Sequence, residues 1–214
     1  MAGYVNVFAS DAYYRAGEPE QALGRARHAE EISRTLGEFT NIVAAMNMAF
    51  GFAHLAAGRA DDSAAAFRAA LEAYGRVERQ SEGWDAVCLA EALLLGGDLS
   101  AAHEAAEDAI ALFERTQRDP YEAQAHGVIA RALLRRDGRS ACKVAEAALA
   151  RAASLIERSG ATTLSPALCE WRAELAAVLG DDAGRDRLLR EAQQGYEKIG
   201  APRHAARLAQ DNGV

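Results

Sequence analysis

Histidine and cysteine are the side chains whose chemistry would be easiest to recognise in this sequence, and neither type is grouped. The chain has five histidines and three cysteines, and His103 with Glu107, four residues apart, is the nearest approach to a metal-binding pair on one helix. Such a pair is far more often part of a solvated helix face. Cys88 lies in an apolar run, which is typical of a packed thiol. We therefore predict no metal site and no nucleophilic cysteine.

Three carboxylates near the C-terminus, Asp181, Asp182 and Asp186, form the most suggestive acidic group. They are similar to the carboxylate cluster of magnesium-dependent terpenoid enzymes. They follow Gly180 directly, however, and carboxylates at the start of a helix satisfy its free N–H groups and its dipole. We interpret them as a helix cap, and the group Asp61–Ser63 in the same way. Phosphate-binding glycine loops and a Gly-x-Ser-x-Gly motif are absent. We predict that the protein is not an enzyme and has no catalytic residues or cofactors. An all-helical enzyme that holds a metal ion with these carboxylates is kept as an alternative.

The composition of the chain predicts helices. Of its 214 residues 51 are alanine, only 7% are aromatic and only 4 are proline. Alanine has the highest helix propensity, whereas strands need the β-branched and aromatic residues that are scarce here. An all-α fold with small side chains at the helix contacts follows.

The charge and the cysteines limit the partners and the compartment. The net charge is −7, which disfavours nucleic-acid binding by this chain alone. The three cysteines are scattered and odd in number, as in a reducing cytoplasm. The N-terminal residues lack the pattern of a signal peptide, and the most apolar stretch, 42–57, is shorter than the ~20 residues that a membrane span needs. We expect a cytoplasmic protein that does not bind membranes.

An internal repeat organises the sequence. Glycines between amphipathic stretches recur at spacings of 41, 39, 41 and 42 residues, namely Gly17, Gly58, Gly97, Gly138 and Gly180. A second set of breaks separates these units at Gly37, 80–83, Asp119–Pro120, Gly160 and 200–202. A glycine after one helix and a polar residue before the next are typical of a helical turn. The sequence thus predicts five helix–turn–helix units and a short final helix.

The residues after each glycine also repeat. Small or large apolar residues stand 5, 9, 12, 13 and 16 positions later, which is the periodicity of a buried helix stripe. Examples are Ala102, Ala106, Ala109, Ile110 and Phe113 after Gly97. The fourth unit needs a shift of two residues to fit, with Ala145, Leu149, Ala152, Ala153 and Ile156.

This pattern resembles the tetratricopeptide repeat (TPR), in which a small residue, an aromatic residue and Ala-Leu stand at these offsets. The period of about 40 implies helices longer than those of the usual 34-residue unit, and it is similar to the TPR regions of large bacterial signalling and transcription regulators. The resemblance implies a right-handed α-solenoid in a single domain, 1–214, with units at about 1–37, 38–82, 83–119, 120–160 and 161–200 and a capping helix at about 202–210.

In TPR arrays the first helix of each unit lines a concave groove. Positions carried over by offset from the turn glycine place apolar and aromatic residues at the centre of the first half, with Glu91 beside them and Arg131, Arg135 and Arg136 further along. The fifth unit presents Glu170 and Glu174. The Lys, Asn and Arg set with which chaperone-binding members hold a terminal carboxylate is not found. The groove centre consists of Tyr14, Met48, Phe52, Trp84 and Val87.

The resemblance implies a scaffold for protein–protein interaction in bacterial regulation, with a peptide or partner helix in this groove. The alternative is a sensor domain of a transcription regulator that closes on an apolar small ligand. A structural interpretation is equally open, in which the superhelix closes and the groove residues pack as core. The apolar residues Tyr4, Val5, Val7 and Phe8 leave the first unit without a polar cap, which predicts either truncation from a longer array or a homodimer through this unit.

Overall fold

The computed structural model describes residues 2–36, 40–74, 82–116 and 119–211, and within these ranges the chain folds into eleven α-helices without a β-strand. Two 3₁₀ turns, Gly138–Ala141 and Thr162–Leu164, interrupt the second half. None of the helices in the described ranges has the length and apolarity needed to cross a membrane. The predicted all-α class is confirmed. The helices are α1 (Ala2–Ala16), α2 (Pro19–Leu36), α3 (Thr40–Ala56), α4 (Ala60–Tyr74), α5 (Glu82–Gly96), α6 (Leu99–Thr116), α7 (Asp119–Asp137), α8 (Cys142–Ser159), α9 (Ser165–Leu179), α10 (Asp182–Lys198) and α11 (Pro202–Asp211).

The five predicted turn glycines all lie between a first and a second helix, and all have positive φ, from 59° to 83°. Glycine adopts this left-handed conformation without the steric cost that other residues meet. At Gly180 the turn closes with hydrogen bonds from the Gly180 N–H to the Ala177 carbonyl at 3.1 Å and from the Asp181 N–H to the Ala176 carbonyl at 2.9 Å. These bonds satisfy carbonyls that the helix end leaves open. Of the predicted breaks between units, Gly37 and residues 80–81 lie outside the described residues.

The acidic group after Gly180 contains a helix cap, as predicted. The carboxylate of Asp181 accepts a hydrogen bond from the Gly184 N–H at 2.9 Å at the start of α10. Asp61 and Asp62 lie exposed in the first turn of α4, where negative charge complements the helix dipole. Ser63 differs from the prediction, because it is buried and bonds the neighbouring helix instead.

Two buried serines join the helices of the first two pairs at equivalent positions. The Ser63 hydroxyl donates to the Gly51 carbonyl at 2.9 Å, and the Ser10 hydroxyl donates to the Ala22 carbonyl at 3.2 Å. Ser10 and Gly51 both stand seven residues before their turn glycines, and Ala22 and Ser63 stand five after. Both repeats therefore have a hydrogen bond at the same contact between their two helices. The donor is on the first helix in one repeat and on the second helix in the other.

The two-residue shift in the fourth repeat has a structural cause. The other second helices begin two residues after their turn glycine, whereas α8 begins at Cys142, four residues after Gly138. The 3₁₀ turn Gly138–Ala141 takes up the two extra residues. The shifted stripe then faces the core, since Ala145 and Ala152 are fully buried.

The contacts of the chain group it into two units, Met1–Asp98 and Leu99–Val214. In the N-terminal unit α3 packs against α1, α2 and α4, and α4 packs against α5. In the C-terminal unit α7 packs against α6, α8 and α9, and α10 packs against α9 and α11. The single domain predicted over 1–214 stays a prediction.

Alanine forms the helix contacts, as the offsets predict. The second helices of the first four units bury stripes of alanines, α10 buries only one alanine, Ala192, and large residues on the same stripes fill the space between helices. Phe67 and Phe113 are such fillers. The buried alanines include Ala22, Ala26, Ala29, Ala70, Ala102, Ala106, Ala109 and Ala192.

Two glycines within first helices lie against aromatic rings. A Cβ added to Gly51 would lie 2.6 Å from the ring of Phe67, and one added to Gly127 would lie 2.6 Å from the ring of Trp171. Real Cβ atoms essentially never lie this close to another non-bonded atom, so the two rings can pack here only because these positions have no side chain. Gly24, in α2, faces open space instead.

Replacement of either packed glycine by alanine should destabilise the protein. We expect Gly51→Ala and Gly127→Ala each to lower the free energy of unfolding by about 1–3 kcal/mol, because overpacking displaces a buried ring. Urea unfolding followed by circular dichroism measures the change.

The matched control is Gly24→Ala, which adds the same methyl group to an exposed helix interior. It should leave stability unchanged or raise it by up to about 1 kcal/mol through helix propensity. Equal effects at all three positions would contradict the proposed role of the aromatic contacts.

Candidate functional site

The predicted groove centre of the N-terminal unit is an aromatic cluster on α1, α3 and α5. Phe52 lies at its centre, with ring centroids 5.5 Å from Trp84, 6.1 Å from Tyr14 and 5.3 Å from Phe67. Met48, Phe52 and Val87 are fully buried and Trp84 is nearly so. Ring pairs at these distances add about 1 kcal/mol each beyond the area that they bury. The structure thus brings Tyr14, Phe52 and Trp84 into contact, and it buries Met48 and Val87 on the same helices as Phe52 and Trp84.

Side chains of α1 and α5 meet across α3 and cover this cluster. The Phe8 ring stacks on Trp84 with centroids 5.5 Å apart and planes at 15°. The Tyr14 hydroxyl hydrogen-bonds the Glu91 carboxylate at 3.3 Å. The packing favours the structural interpretation of the groove centre, and a ligand that used it would have to displace these contacts.

Polar groups surround Tyr14 at the edge of the cluster. The Arg15 Nε donates to both carboxylate oxygens of Asp11, at 2.9 and 3.0 Å. Burial, and then the charge of Glu91, raise the pKa of Tyr14 well above its ordinary value. The same two causes raise the pKa of Cys88. A thiol nucleophile must ionise, so Cys88 is held in its unreactive form.

A second arrangement lies in the C-terminal unit, where charged side chains connect α7, α9 and α11. Glu174 accepts from Arg131 at 2.7 Å and from Arg135 at 3.1 and 3.2 Å. Glu170 accepts from the Tyr196 hydroxyl at 2.6 Å and from Arg207 at 2.7 Å. We call this set, Arg131, Arg135, Glu170, Glu174 and Arg207, the Arg–Glu surface.

Helical spacing places these groups side by side. Arg131 and Arg135 are four residues apart on α7, as Glu170 and Glu174 are on α9, so each pair lies on one face of its helix. The side chains remain partly exposed, and Arg135 is 40% exposed. Unlike the N-terminal cluster, this surface is in contact with solvent.

A pocket of about 210 Å³ adjoins the Arg–Glu surface between α9, α10 and α11, and we call it the α9–α11 pocket. Its apolar lining comes from Ala173, Ala177, Leu189 and Leu208, and its charged lining comes from Glu170, Glu174, Arg185 and Arg207. Two residues of the Arg–Glu surface on α9 and one on α11 therefore also line the pocket.

The sequence analysis names four of the five residues of this surface. Arg131 and Arg135 are predicted along the groove, and the offset from the turn glycine also places Glu170 and Glu174 there. Arg207 was missed as a site residue because α11 follows the last repeat, so no offset applies to it. His103 and Glu107 approach to 3.5 Å in a partly exposed pair, and the described residues contain no group of three or more potential metal ligands.

The elevated pKa of Tyr14 predicts a loss of stability at high pH. The unfolded chain ionises this phenol near pH 10 while the folded chain keeps it protonated, so the free energy of unfolding falls as the pH rises above about 10. By pH 11 the wild type should lose about 1 kcal/mol more than Tyr14→Phe in urea unfolding. Tyr196→Phe should behave similarly, because burial and Glu170 raise the pKa of Tyr196. A difference from wild type that is the same at pH 8 and pH 11 would contradict this.

Comparisons with known proteins agree with the geometry. No protein-family model matches the sequence, and no curated protein matches it significantly. Among solved structures, the chain is similar to the nearly identical TPR-like repeats assigned to a kinesin light chain of Podospora anserina, with a TM-score of 0.55 at 16% identity over 93% of this chain and 98% of that one. A single-substitution variant gives a TM-score of 0.54 at 17% identity over 91% and 94%. The likeness confirms at the level of the fold what the residues suggested: the chain is built from TPR-like helical repeats.

Proposed function

We propose that this chain is a non-enzymatic scaffold for protein–protein interaction and that a peptide segment of the partner binds to its C-terminal unit. The observation that carries the proposal is the Arg–Glu surface next to the α9–α11 pocket. Partly exposed arginines and an adjacent pocket are the features that binding surfaces concentrate, because arginine is favoured at hot spots. TPR-like repeats supply the rigid helices that hold them.

The predicted groove of the N-terminal unit is a less favourable binding site than the C-terminal surface. Its aromatic residues already contact one another and are covered by Phe8 and Tyr14. A partner there would gain little buried area until it had displaced α1 side chains. The C-terminal surface requires no such displacement, since its guanidinium groups and pocket are open to solvent.

The size of the pocket favours a peptide over a free small ligand. Pockets for small molecules usually have volumes of about 300–1,000 Å³, so 210 Å³ is closer to the space taken by a side chain. The ligand-sensing function remains the alternative. Placement in bacterial regulation and in the cytoplasm stays a prediction, which rests on the sequence patterns.

Selection of displayed random 12-residue peptides against the full chain should yield binders that need this surface. Ala177→Phe fills the pocket and should weaken the selected peptides by about tenfold or more in fluorescence anisotropy, because their anchor loses its space.

Ala150→Phe is the matched control, since Ala150 is exposed on α8, away from the pocket. Both variants should keep the wild-type melting temperature within a few degrees, which excludes misfolding as the cause. The proposal is contradicted if selection yields no binder, or if Ala177→Phe binds the selected peptides as well as Ala150→Phe does.

We also propose self-association through α1, where Phe8 remains 57% exposed although it stacks on Trp84. Val5, one helical turn earlier, is exposed as well. Exposed apolar side chains on one helix face favour an interface between copies.

Sedimentation velocity of the wild type at about 100 μM should show dimers, and Phe8→Ser should weaken dimerisation by about tenfold or more. Val144→Ser is the control, because Val144 is equally exposed, at 59%, but lies on α8. A wild type that stays monomeric at this concentration contradicts the proposal.

A further inference from the structure

We propose that the Arg–Glu surface and the α9–α11 pocket together bind an acidic peptide segment that carries one large apolar side chain. This inference rests on the proposed function and names the chemistry of its partner. The acidic residues of the segment pair with Arg131, Arg135 and Arg207, and its apolar side chain enters the pocket.

The charge of the Arg–Glu surface favours an acidic ligand. The Arg–Glu surface carries three positive and two negative groups, an excess of one positive charge, within a chain whose net charge is −7. The net charge of the chain repels an acidic segment as a whole, whereas this local excess of positive charge attracts it. This local positive charge favours a negatively charged ligand and favours its binding at this surface.

The exposed fractions of the paired side chains also favour an acidic ligand. The side chain of Arg135 is 40% exposed and that of its partner Glu174 is 30% exposed. Arg207 is 46% exposed and its partner Glu170 is 20% exposed. In these two pairs the guanidinium is more exposed than the carboxylate, so an approaching ligand meets Arg135 and Arg207 first. Arg131 is the exception, with 27% exposure against 30% for Glu174.

Arg131 and Arg135 have more N–H donors than their bonds to Glu174 use. Each guanidinium carries five N–H donors, and the bonds of Arg131 and Arg135 to Glu174 use three nitrogen atoms in all. A ligand carboxylate can therefore bond the same arginines beside Glu174. Carboxylates fit guanidinium groups in a planar, two-bond geometry that a single point charge does not provide.

The pocket supplies the apolar part of the specificity. Ala173, Ala177, Leu189 and Leu208 provide methyl and methylene groups, and Arg185 and Arg207 contribute charge to the same pocket. An apolar side chain inside it would have acidic neighbours within reach of these two arginines. The combination favours a leucine-type anchor flanked by Asp or Glu.

The experiment uses three fluorescein-labelled 12-residue peptides and the full chain. The first has Glu and Asp flanks with a central Leu, the second replaces this Leu by Ser, and the third has Lys flanks with the central Leu. In fluorescence anisotropy the first should bind at least about tenfold more tightly than either of the others, and its affinity should fall as salt increases.

Two variants with opposite expected effects on affinity test the residues of the site, and a third variant is the control. Arg135→Glu should weaken the acidic Leu peptide by about tenfold or more, because it reverses the most accessible charge on α7. Glu174→Gln should strengthen it, because it removes a competing carboxylate. Arg172→Glu is the control, an equal charge change on an exposed site of α9, and should alter affinity by less than about threefold.

The outcomes separate this inference from the proposed function. Equal or tighter binding of the Lys peptide, or no loss with Arg135→Glu in a variant that melts like the wild type, overturns the acidic ligand. If random selection still yields peptides that Ala177→Phe rejects, the scaffold function stands while this inference fails. Enrichment of acidic residues around an apolar one in that selection supports both.

Discussion

Small side chains at the helix contacts are the constraint on which the rest of this structure depends. Buried alanines let neighbouring helices approach closely, because their side chains take little space between the helix axes. A ring that packs directly on the backbone of a neighbouring helix needs a position there without a side chain. Gly51 opposite Phe67 and Gly127 opposite Trp171 meet this condition, so these two rings lie where glycine leaves room.

The same constraint gives the two units different surfaces. In the N-terminal unit the first helices carry rings, and rings are long enough to meet across α3, as Phe8 and Trp84 do. In the C-terminal unit some of the corresponding positions carry charged residues, with Arg135 in the place of Tyr14 and Glu174 in the place of Phe52. These side chains also reach a neighbouring helix, but each must keep its charged end hydrated or paired. One framework thus produces a buried apolar cluster in one unit and an exposed charged surface in the other.

The sequence predicts periodic features well and contacts between repeats poorly. Turn glycines and alanine stripes follow from local rules, and α11 begins at the predicted residue and ends one residue beyond the predicted boundary. The burial of Phe52 and Trp84 does not follow from those rules, because it depends on whether α1 and α5 approach each other. The pairing of Arg207 with Glu170 is likewise a tertiary contact, between residues that are 37 positions apart in the sequence. The offsets identify which helix face a residue occupies, and packing decides what meets it there.

Paired arginines offer a binding surface that is ordered before a partner arrives. Glu174 holds Arg131 and Arg135 in place, so a ligand that bonds them loses less side-chain entropy than it would with mobile lysines. The same carboxylate competes for those arginines and limits the affinity that a ligand can gain. Partial exposure adds screening by salt, which weakens each contact further. A surface of this kind favours reversible binding, with specificity set by the sign of the charge and by the adjoining pocket rather than by the strength of any one ion pair.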